Sequence, residues 1–266
     1  MMDAAAIARA AAALDEAERT RRQIGLLSLT HPGMDMDDAY AIQAAWIARK
    51  LDRGCRVVGW KIGLTSRAMQ AALSIDIPDS GVLLDDMMFV DGATIPPGRF
   101  IEPRIEAEIA FVMGAGLAGE VGPEEVLAAT DHIRPVLEIL DTRILRRDPA
   151  TGRLRSVLDT IADNAANAGV VTGPPCRDFR DRDLRWLGAI VSRDGVIEET
   201  GLGAGVLGNP ALAVAWLAAR LARYGQRIEP GQIVLSGSFI RPVEAPPGSR
   251  IEADFGPLGR IGCRFA

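Results

Sequence analysis

Histidine is the scarcest chemically useful residue in this sequence, with only two copies, His31 and His132. A histidine-rich metal site or a Ser-His-Asp triad would have to use one of these two. His31 precedes a proline in a loop-like stretch, and His132 lies in the segment ATDHIRP. Neither arrangement points to catalysis, so the sequence favours chemistry based on carboxylates and lysine.

Cysteine is almost as scarce, and its three copies, Cys55, Cys176 and Cys263, lie far apart with no CxxC pair. This usage predicts reduced thiols in a cytoplasmic protein rather than a disulfide or zinc framework. The alanine-rich N-terminal stretch carries acidic residues early and has no cleavable apolar core. We therefore expect no signal peptide.

Long apolar runs and basic stripes are also missing from the 266 residues. No run approaches the roughly 18 apolar residues that span a bilayer, so no membrane partner is expected. The net charge is -5 and the basic residues are scattered, which disfavours a nucleic-acid partner. A hydrophobic fraction of 48% and a charged fraction of 24% are typical of a globular protein.

Two kinds of sequence pattern along the chain predict an α+β fold. Helical periodicity and caps predict helices over residues 3–24, 35–54, 66–75, 124–133 and 209–225. From about residue 80, short apolar runs alternate with Pro, Gly and Asp turns, as strands do. We divide the chain into a helical N-terminal region, residues 1–78, and a β-rich core, residues 79–266, which act as one functional unit.

Lys61 is a lone cation in the apolar segment RVVGWKIGLTS, which reads as a short strand ending in a glycine-rich turn. Lysine is seldom fully buried without a partner. The segment therefore predicts a carboxylate close to Lys61.

Three glutamates could supply that negative charge. Glu106 and Glu108 have the i,i+2 spacing that places both side chains on one face of a strand. They could form a solvent-facing polar edge, or they could share a ligand. Glu138 lies in a second apolar strand, RPVLEILDTR, where a carboxylate needs a cation. Three carboxylates with almost no histidine suit a hard cation, Mg²⁺ or alternatively Mn²⁺.

Several other polar residues, most of them acidic, could have either a structural or a chemical role. Asp79 follows a proline and precedes Ser-Gly, so it could simply form a turn by bonding its own backbone. Asp159, Asp163 and Asn164 precede a glycine-rich segment and could be caps and turns. The sequence does not decide between structure and chemistry for these residues.

A series of motifs along nearly the whole chain resembles one known family. These motifs are, in order, GWKIGLTSRAMQ, PDSGVLLDDM, RFIEPRIEAEIAFV, LEILDTR, DTIADNAANAG, GVIEETGLGAGVLGNPALAVAWLA and GSFIRPV. Together they resemble the hydratase/decarboxylase branch of the fumarylacetoacetate hydrolase superfamily.

The resemblance implies a fold, a site and an assembly. The fold is a helical N-terminal region followed by a mixed β-roll, and members assemble into homo-oligomers, often decamers. The metal ligands fall on Glu106, Glu108 and Glu138. The active-site lysine falls on Lys61 and the turn aspartate on Asp79.

The resemblance also implies metal-dependent addition of water to a 2-hydroxy-2,4-dienoate, in equilibrium with its 2-oxo-alkenoate. Seven-carbon 2-oxo-diacids are the expected substrates. Lys61 would stabilise developing negative charge or shuttle protons, and Asp79 would move a proton or orient water. Glu106 could combine metal binding with acid/base chemistry. One departure is Trp60, where histidine is expected just before the lysine.

A diacid substrate needs a partner for its distal carboxylate, and Arg241 in SGSFIRPV is the candidate from sequence. It could equally be a surface arginine after a strand. The rival functions are decarboxylation of a 2-oxo-3-enedioate and a non-catalytic role as partner of such a decarboxylase.

Overall fold

The computed structural model describes residues 1–72 and 77–266, and its helices are concentrated in the N-terminal part. The helices are α1 (Ala4–Thr20), α2 (Leu27–Thr30), α3 (Met36–Asp52), α4 (Arg67–Ala72), α5 (Pro123–Ala129), α6 (Val157–Ala162) and α7 (Pro210–Ala222).

The strands form two sheets. Their bounds are β1 (Val57–Gly63), β2 (Asp79–Leu84), β3 (Met88–Val90), β4 (Thr94–Ile95), β5 (Arg104–Met113), β6 (Thr130–Leu140), β7 (Asn167–Thr172), β8 (Gly188–Arg193), β9 (Val196–Leu202), β10 (Ile233–Leu235), β11 (Val243–Glu244), β12 (Arg250–Asp254) and β13 (Arg260–Phe265). The eight-stranded sheet has the order β2-β1-β10-β5-β6-β7-β3, with β11 also paired to β5. The five-stranded sheet has the order β4-β13-β12-β8-β9. Parallel and antiparallel pairs occur in both sheets, so the predicted α+β fold is confirmed.

Side-chain caps begin two of the predicted helices. Asp35 caps α3 in a capping box with Asp38, and Asn209 caps α7. The predicted helix over 124–133 is too long, because α5 ends at Ala129 and the following residues belong to β6. Of the predicted helix over 66–75, the structure describes Arg67–Ala72 as α4, and residues 73–76 lie outside the described residues.

Two hydrophobic cores hold these elements. Helices α1 and α3 pack through a cluster that includes Leu14, Ile42 and Trp46, and this cluster extends to Ile161 in α6. The larger core lies among α7 and the two sheets and includes residues of β5 and β12. Burial of these apolar faces is the main force that holds the layers together.

Strand β1 lies before the proposed division at residue 78 but belongs to the large sheet. It pairs in parallel with β10 and antiparallel with β2. The segment RVVGWKIGLTS is therefore a strand, as predicted, and it is part of the β-rich core. The division of the chain at residues 78 and 79 remains a prediction.

One described stretch, Gly203–Ala222, is long and apolar enough by length and composition to cross a membrane. Its mean hydropathy is 1.3, and half of it is buried inside the protein. The expectation that no run approaches that length was therefore too strong. Most of the stretch is α7, whose small residues pack in the larger core, as in the core helix of a globular protein.

A buried ion pair joins the segment after β6 to the segment after α6. The Arg143 Nε donates to Asp163 Oδ1 at 2.6 Å, and both side chains are almost completely buried. Arg143 also donates to the backbone carbonyls of Asp163 and Asn167 and lies over the Trp46 ring. Asp163 is therefore a structural residue.

Removing one member of this pair should be strongly destabilising. The substitution Arg143→Met leaves the Asp163 carboxylate buried without its cation, and such a change costs about 3–5 kcal/mol. Urea unfolding followed by circular dichroism measures the loss. Arg177→Met is the matched control, because Arg177 forms an exposed pair with Asp131 and should matter little. Equal losses in the two variants would contradict the prediction.

Candidate functional site

The pairing register of β5 and β6 brings the three predicted glutamates together. Glu106 lies directly opposite Glu138, and Glu108 follows two residues later on the same face of β5. Carboxylate oxygens of the three residues all lie within 4.8 Å of one another. Glu108 and Glu138 are completely buried, so these side chains do not form a solvent-facing edge.

Neighbouring groups orient two of these carboxylates. The Asn167 Nδ2 donates to Glu138 Oε1 at 2.6 Å, and the Gly237 backbone N–H donates to Glu108 Oε2 at 2.7 Å. The other oxygens, Glu108 Oε1 and Glu138 Oε2, are buried and have no hydrogen-bond partner among the described residues. Buried acceptors without a donor are costly, so these oxygens fit the coordination of a hard divalent cation.

Burial and repulsion by neighbouring carboxylates raise the pKa of Glu106 and of Glu108. Burial, and then the charge of Glu138, raise the pKa of Glu106 to about 7. Burial also raises the pKa of Glu108 well above its ordinary value, with Glu138 and Glu106 adding to the effect. A bound cation would reverse this tendency, because it stabilises the ionised form.

Lys61 reaches this cluster from β1, on the far side of β10. Its Nζ lies 3.5 Å from Glu138 Oε1, and the side chain is buried. Burial disfavours the ammonium, but Glu138 and three other carboxylates outweigh it and raise the pKa of Lys61. The lysine is therefore protonated at neutral pH, and the partner that the sequence predicted for it is Glu138.

Asp79 begins β2 next to Lys61. Its Oδ1 is buried and has no hydrogen-bond partner among the described residues. Burial raises the pKa of Asp79, and the Lys61 charge opposes that shift. A Cβ at Gly63, which pairs with Asp79, would lie 2.2 Å from Asp79 Oδ1 and 3.0 Å from Lys61 Nζ. Glycine is required at position 63, since any side chain would push the two groups away.

A cavity of about 680 Å³ opens beside Glu106. Its wall includes the turn after β1, part of β5, the start of α6 and the segment 238–242. Arg241 also lines the cavity, but its side chain is 78% exposed and its Nη2 lies 2.7 Å from Glu199 Oε1. The role predicted for Arg241 remains a prediction, and in this structure its guanidinium has another partner.

Several other predicted candidates have structural roles. Asp159 accepts hydrogen bonds from Ser28 and from Ser156, the N-cap of α6, and Asn164 bonds the backbone of Val82. Trp60 lies on the strand face opposite Lys61, and its Nε1 donates to Gln232. The departure at residue 60 is therefore directed away from the carboxylates.

Sequence reasoning missed the groups that support the ligands. Asn167 was part of the quoted motif DTIADNAANAG, but nothing in the spacing shows that it reaches Glu138. Gly237 contributes through its backbone, which leaves no signal in residue type. Arg104 was also missed, although its i,i+2 spacing from Glu106 places it on the same face of β5.

No protein-family model matches the sequence, but individual proteins are similar over almost its whole length. The chain is 51% identical over 253 residues to 2-oxo-hept-4-ene-1,7-dioate hydratase of Escherichia coli, with 95% of each chain covered. It is 41% identical over 257 residues to a 2-keto-4-pentenoate hydratase of Paraburkholderia xenovorans, with 96% of this chain and 93% of the relative covered.

A solved structure is also similar to this chain over its whole length. The 4-oxalocrotonate decarboxylase of Pseudomonas putida G7, complexed with magnesium and adipate, superposes with a TM-score of 0.93 at 32% identity. The match covers 100% of this chain and 99% of the decarboxylase chain. The chain belongs to the hydratase/decarboxylase branch of the fumarylacetoacetate hydrolase superfamily.

Proposed function

We propose that this protein is a divalent-metal-dependent hydratase that adds water to a 2-hydroxy-2,4-dienoate or its 2-oxo-alkenoate tautomer. The substrate with the strongest support is 2-oxo-hept-4-ene-1,7-dioate, which would give 4-hydroxy-2-oxoheptane-1,7-dioate. The observation that carries the proposal is the convergence of two buried glutamates and one partly buried glutamate beside a buried lysine. The 51% identity to a hydratase with that substrate in its name supports the chain length.

Glu106, Glu108 and Glu138 would hold the metal ion, for which we propose Mg²⁺, with Mn²⁺ as the alternative. Their unpartnered oxygens and all-carboxylate chemistry suit either hard cation. When bound, the ion supplies a positive charge that polarises the 2-oxo group of the substrate. The magnesium in the similar decarboxylase structure supports this choice.

Lys61 would supply a second positive charge beside the substrate's carboxylate and 2-oxo oxygens. In the metal-free protein the surrounding carboxylates raise the pKa of Lys61, and the 3.5 Å contact of its Nζ with Glu138 Oε1 favours the electrostatic role over a proton shuttle. Its position is fixed by Glu138, so little reorganisation is needed as charge develops on the substrate.

Asp79 would move the proton. Its carboxyl is buried beside Lys61, with a raised pKa and an oxygen that no described residue occupies. Such a group can hold a proton for a substrate carbon, or accept one from water, without losing an existing hydrogen bond. Glu106 lines the cavity and could assist, although a carboxylate that binds a metal is a weaker base.

Decarboxylation of a 2-oxo-3-enedioate is the alternative. It is supported by the TM-score of 0.93 with 4-oxalocrotonate decarboxylase. Both reactions develop negative charge on the same 2-oxo oxygen, so they can share these residues. A non-catalytic role beside a decarboxylase is less well supported, because Lys61, Asp79 and all three glutamates are present together.

We further propose that the enzyme acts in the degradation of aromatic compounds such as 4-hydroxyphenylacetate. We expect it to be cytoplasmic and to work as a homo-oligomer, for which a decamer fits the family. These proposals rest on the family membership and on the chemistry of the expected substrate.

The purified chain should consume dienoates only when a divalent cation is present. Enzymatically generated dienoates of five, six and seven carbons lose their ultraviolet absorbance on hydration, and the product gains the mass of one water. The seven-carbon diacid should react fastest. Release of CO₂ without a water adduct would assign the decarboxylase function, and no reaction with any substrate would contradict both.

Metal binding should weaken as the pH falls through about 7. The Glu106 carboxyl must lose its proton before it can bind a cation, and its pKa is raised to about 7 in the metal-free protein. Affinity for Mg²⁺ should therefore fall by up to about tenfold per pH unit below that value. Calorimetry at pH 6 and pH 8, in buffers of different ionisation enthalpy, also detects the released protons. Equal affinities without proton release would contradict the assigned ligands.

Substitution of Lys61 should impair turnover rather than metal binding. We expect Lys61→Met to lower kcat by roughly 100- to 1,000-fold, since it removes a preorganised charge beside the reacting oxygens. Affinity for Mg²⁺ should not fall, because an ammonium repels the ion.

The matched control is Lys50→Met, which removes another buried lysine that pairs with Glu18 outside the cavity. The folded control should keep its kcat. A similar kcat for Lys61→Met and the unmodified protein would exclude the electrostatic role of Lys61.

A further inference from the structure

Two arginines in the cavity wall have donor groups that no described residue uses. Arg104 lies on β5 and Arg155 lies just before α6, and both line the cavity beside Glu106. The Arg104 Nε and the Arg155 Nη1 are buried without a hydrogen-bond partner among the residues that the structure describes. Buried guanidinium donors are normally paired, so two such arginines in the wall of one cavity point to an absent anion.

The cavity lining includes three arginines, Arg104, Arg155 and Arg241, and two glutamates, Glu106 and Glu199, so positive side chains outnumber negative ones by one. The nearest other guanidinium groups already have partners: Arg143 pairs with Asp163, and Arg146 lies close to Glu244 and Glu102. Burial, and then repulsion by Arg146, lower the pKa of Arg104. Burial also lowers the pKa of Arg155, although the Asp163 charge opposes the shift. An anion bound between Arg104 and Arg155 would stabilise both charged guanidinium groups and so offset the cost of their burial and mutual repulsion.

The register of β5 sets how far this wall lies from the candidate metal ligands. Arg104, Glu106 and Glu108 follow one another on a single strand face, so each is about 6.8 Å further along the strand. In a seven-carbon 2-oxo-diacid, five carbon–carbon bonds separate C2 from C7. With bonds of about 1.5 Å, an extended chain places the C7 carboxylate about 6 Å from C2. A substrate whose C1 and C2 oxygens lie at the glutamates can therefore reach Arg104.

We infer that Arg104 and Arg155 together bind the distal carboxylate of a dicarboxylate substrate and so determine the preference for a diacid over a shorter monoacid. This inference deepens the proposed function and rests on it. Two guanidinium groups can donate hydrogen bonds to both oxygens of the distal carboxylate. A five-carbon monoacid has no carboxylate that reaches these guanidinium groups.

Arg241 is less suited to this task. Its side chain is largely exposed and already pairs with Glu199, so the substrate would have to displace that carboxylate. Arg104 and Arg155 are more buried and would gain a partner rather than exchange one. Buried, desolvated charge pairs contribute more to recognition than exposed pairs at a rim do.

The first test compares kcat/KM for the seven-carbon dienedioate and the five-carbon dienoate in Arg155→Gln and Arg104→Gln. Each substitution should reduce the diacid-to-monoacid ratio by roughly 10- to 100-fold, the effect of losing a charge-assisted pair. Arg155→Lys, which keeps the charge, should recover part of the ratio. Arg153→Gln is the matched control, since it removes an exposed arginine two residues away that does not line the cavity.

The second test measures binding without turnover. Calorimetry on the magnesium-loaded protein compares two saturated analogues, 2-oxoheptanedioate and 2-oxopentanoate. The unmodified protein should bind the diacid more tightly, and Arg155→Gln should remove most of the difference. Melting temperatures identify a variant that has lost its fold. If Arg155→Gln does not fold, the difference in binding between the two analogues is measured in Arg155→Lys instead.

The outcomes separate the two proposals. Equal binding of the two analogues by the unmodified protein would overturn the arginine assignment and leave the hydratase function intact. The arginine assignment would also be overturned if Arg241→Gln lost the preference for the diacid while Arg104→Gln and Arg155→Gln kept it. Arg241 would then be the residue that binds the distal carboxylate. Selective analogue binding without water addition to any dienoate would instead contradict the hydratase function.

Discussion

Three carboxylates within 4.8 Å of one another, two of them completely buried, are the constraint on which the rest of the site depends. Like charges at this distance, removed from water, oppose ionisation and oppose folding. The larger structure tolerates them because the strands that carry them are embedded in an extensive apolar core. The negative charge of the site therefore favours the binding of a cation, because the single ammonium group of Lys61 neutralises only part of that charge.

The groups around the carboxylates keep them in place without neutralising them. Asn167 and the Gly237 N–H each donate to one glutamate, and each leaves that glutamate's second oxygen without a donor. Gly63 leaves room for the Lys61 ammonium and the Asp79 carboxyl, because a Cβ at this position would lie within 3.0 Å of both groups. These features describe a rigid, preorganised site, in which the geometry exists before any ligand arrives.

The cavity adds a second region of charge to this centre. The carboxylates at one end attract cations, while the unpartnered guanidinium groups of Arg104 and Arg155 attract anions. Both regions lie along one face of β5, so a single strand sets the distance between them. A substrate with a chelating end and a negatively charged end matches this polarity.

The sequence by itself determined the α+β class and the helix cap at Asn209, and it singled out the three glutamates and Lys61 that the structure brings together. These features depend on local periodicity, capping chemistry and the cost of burying a charge. Only the tertiary structure decided that Glu138 stands opposite Glu106 and that Gly237 supports Glu108. It also decided that Arg155 faces the same cavity as Arg104, while Arg241 pairs with Glu199. The physical reason is that strand register and the packing of distant segments place these groups together, and neither is encoded in the spacing of neighbouring residues.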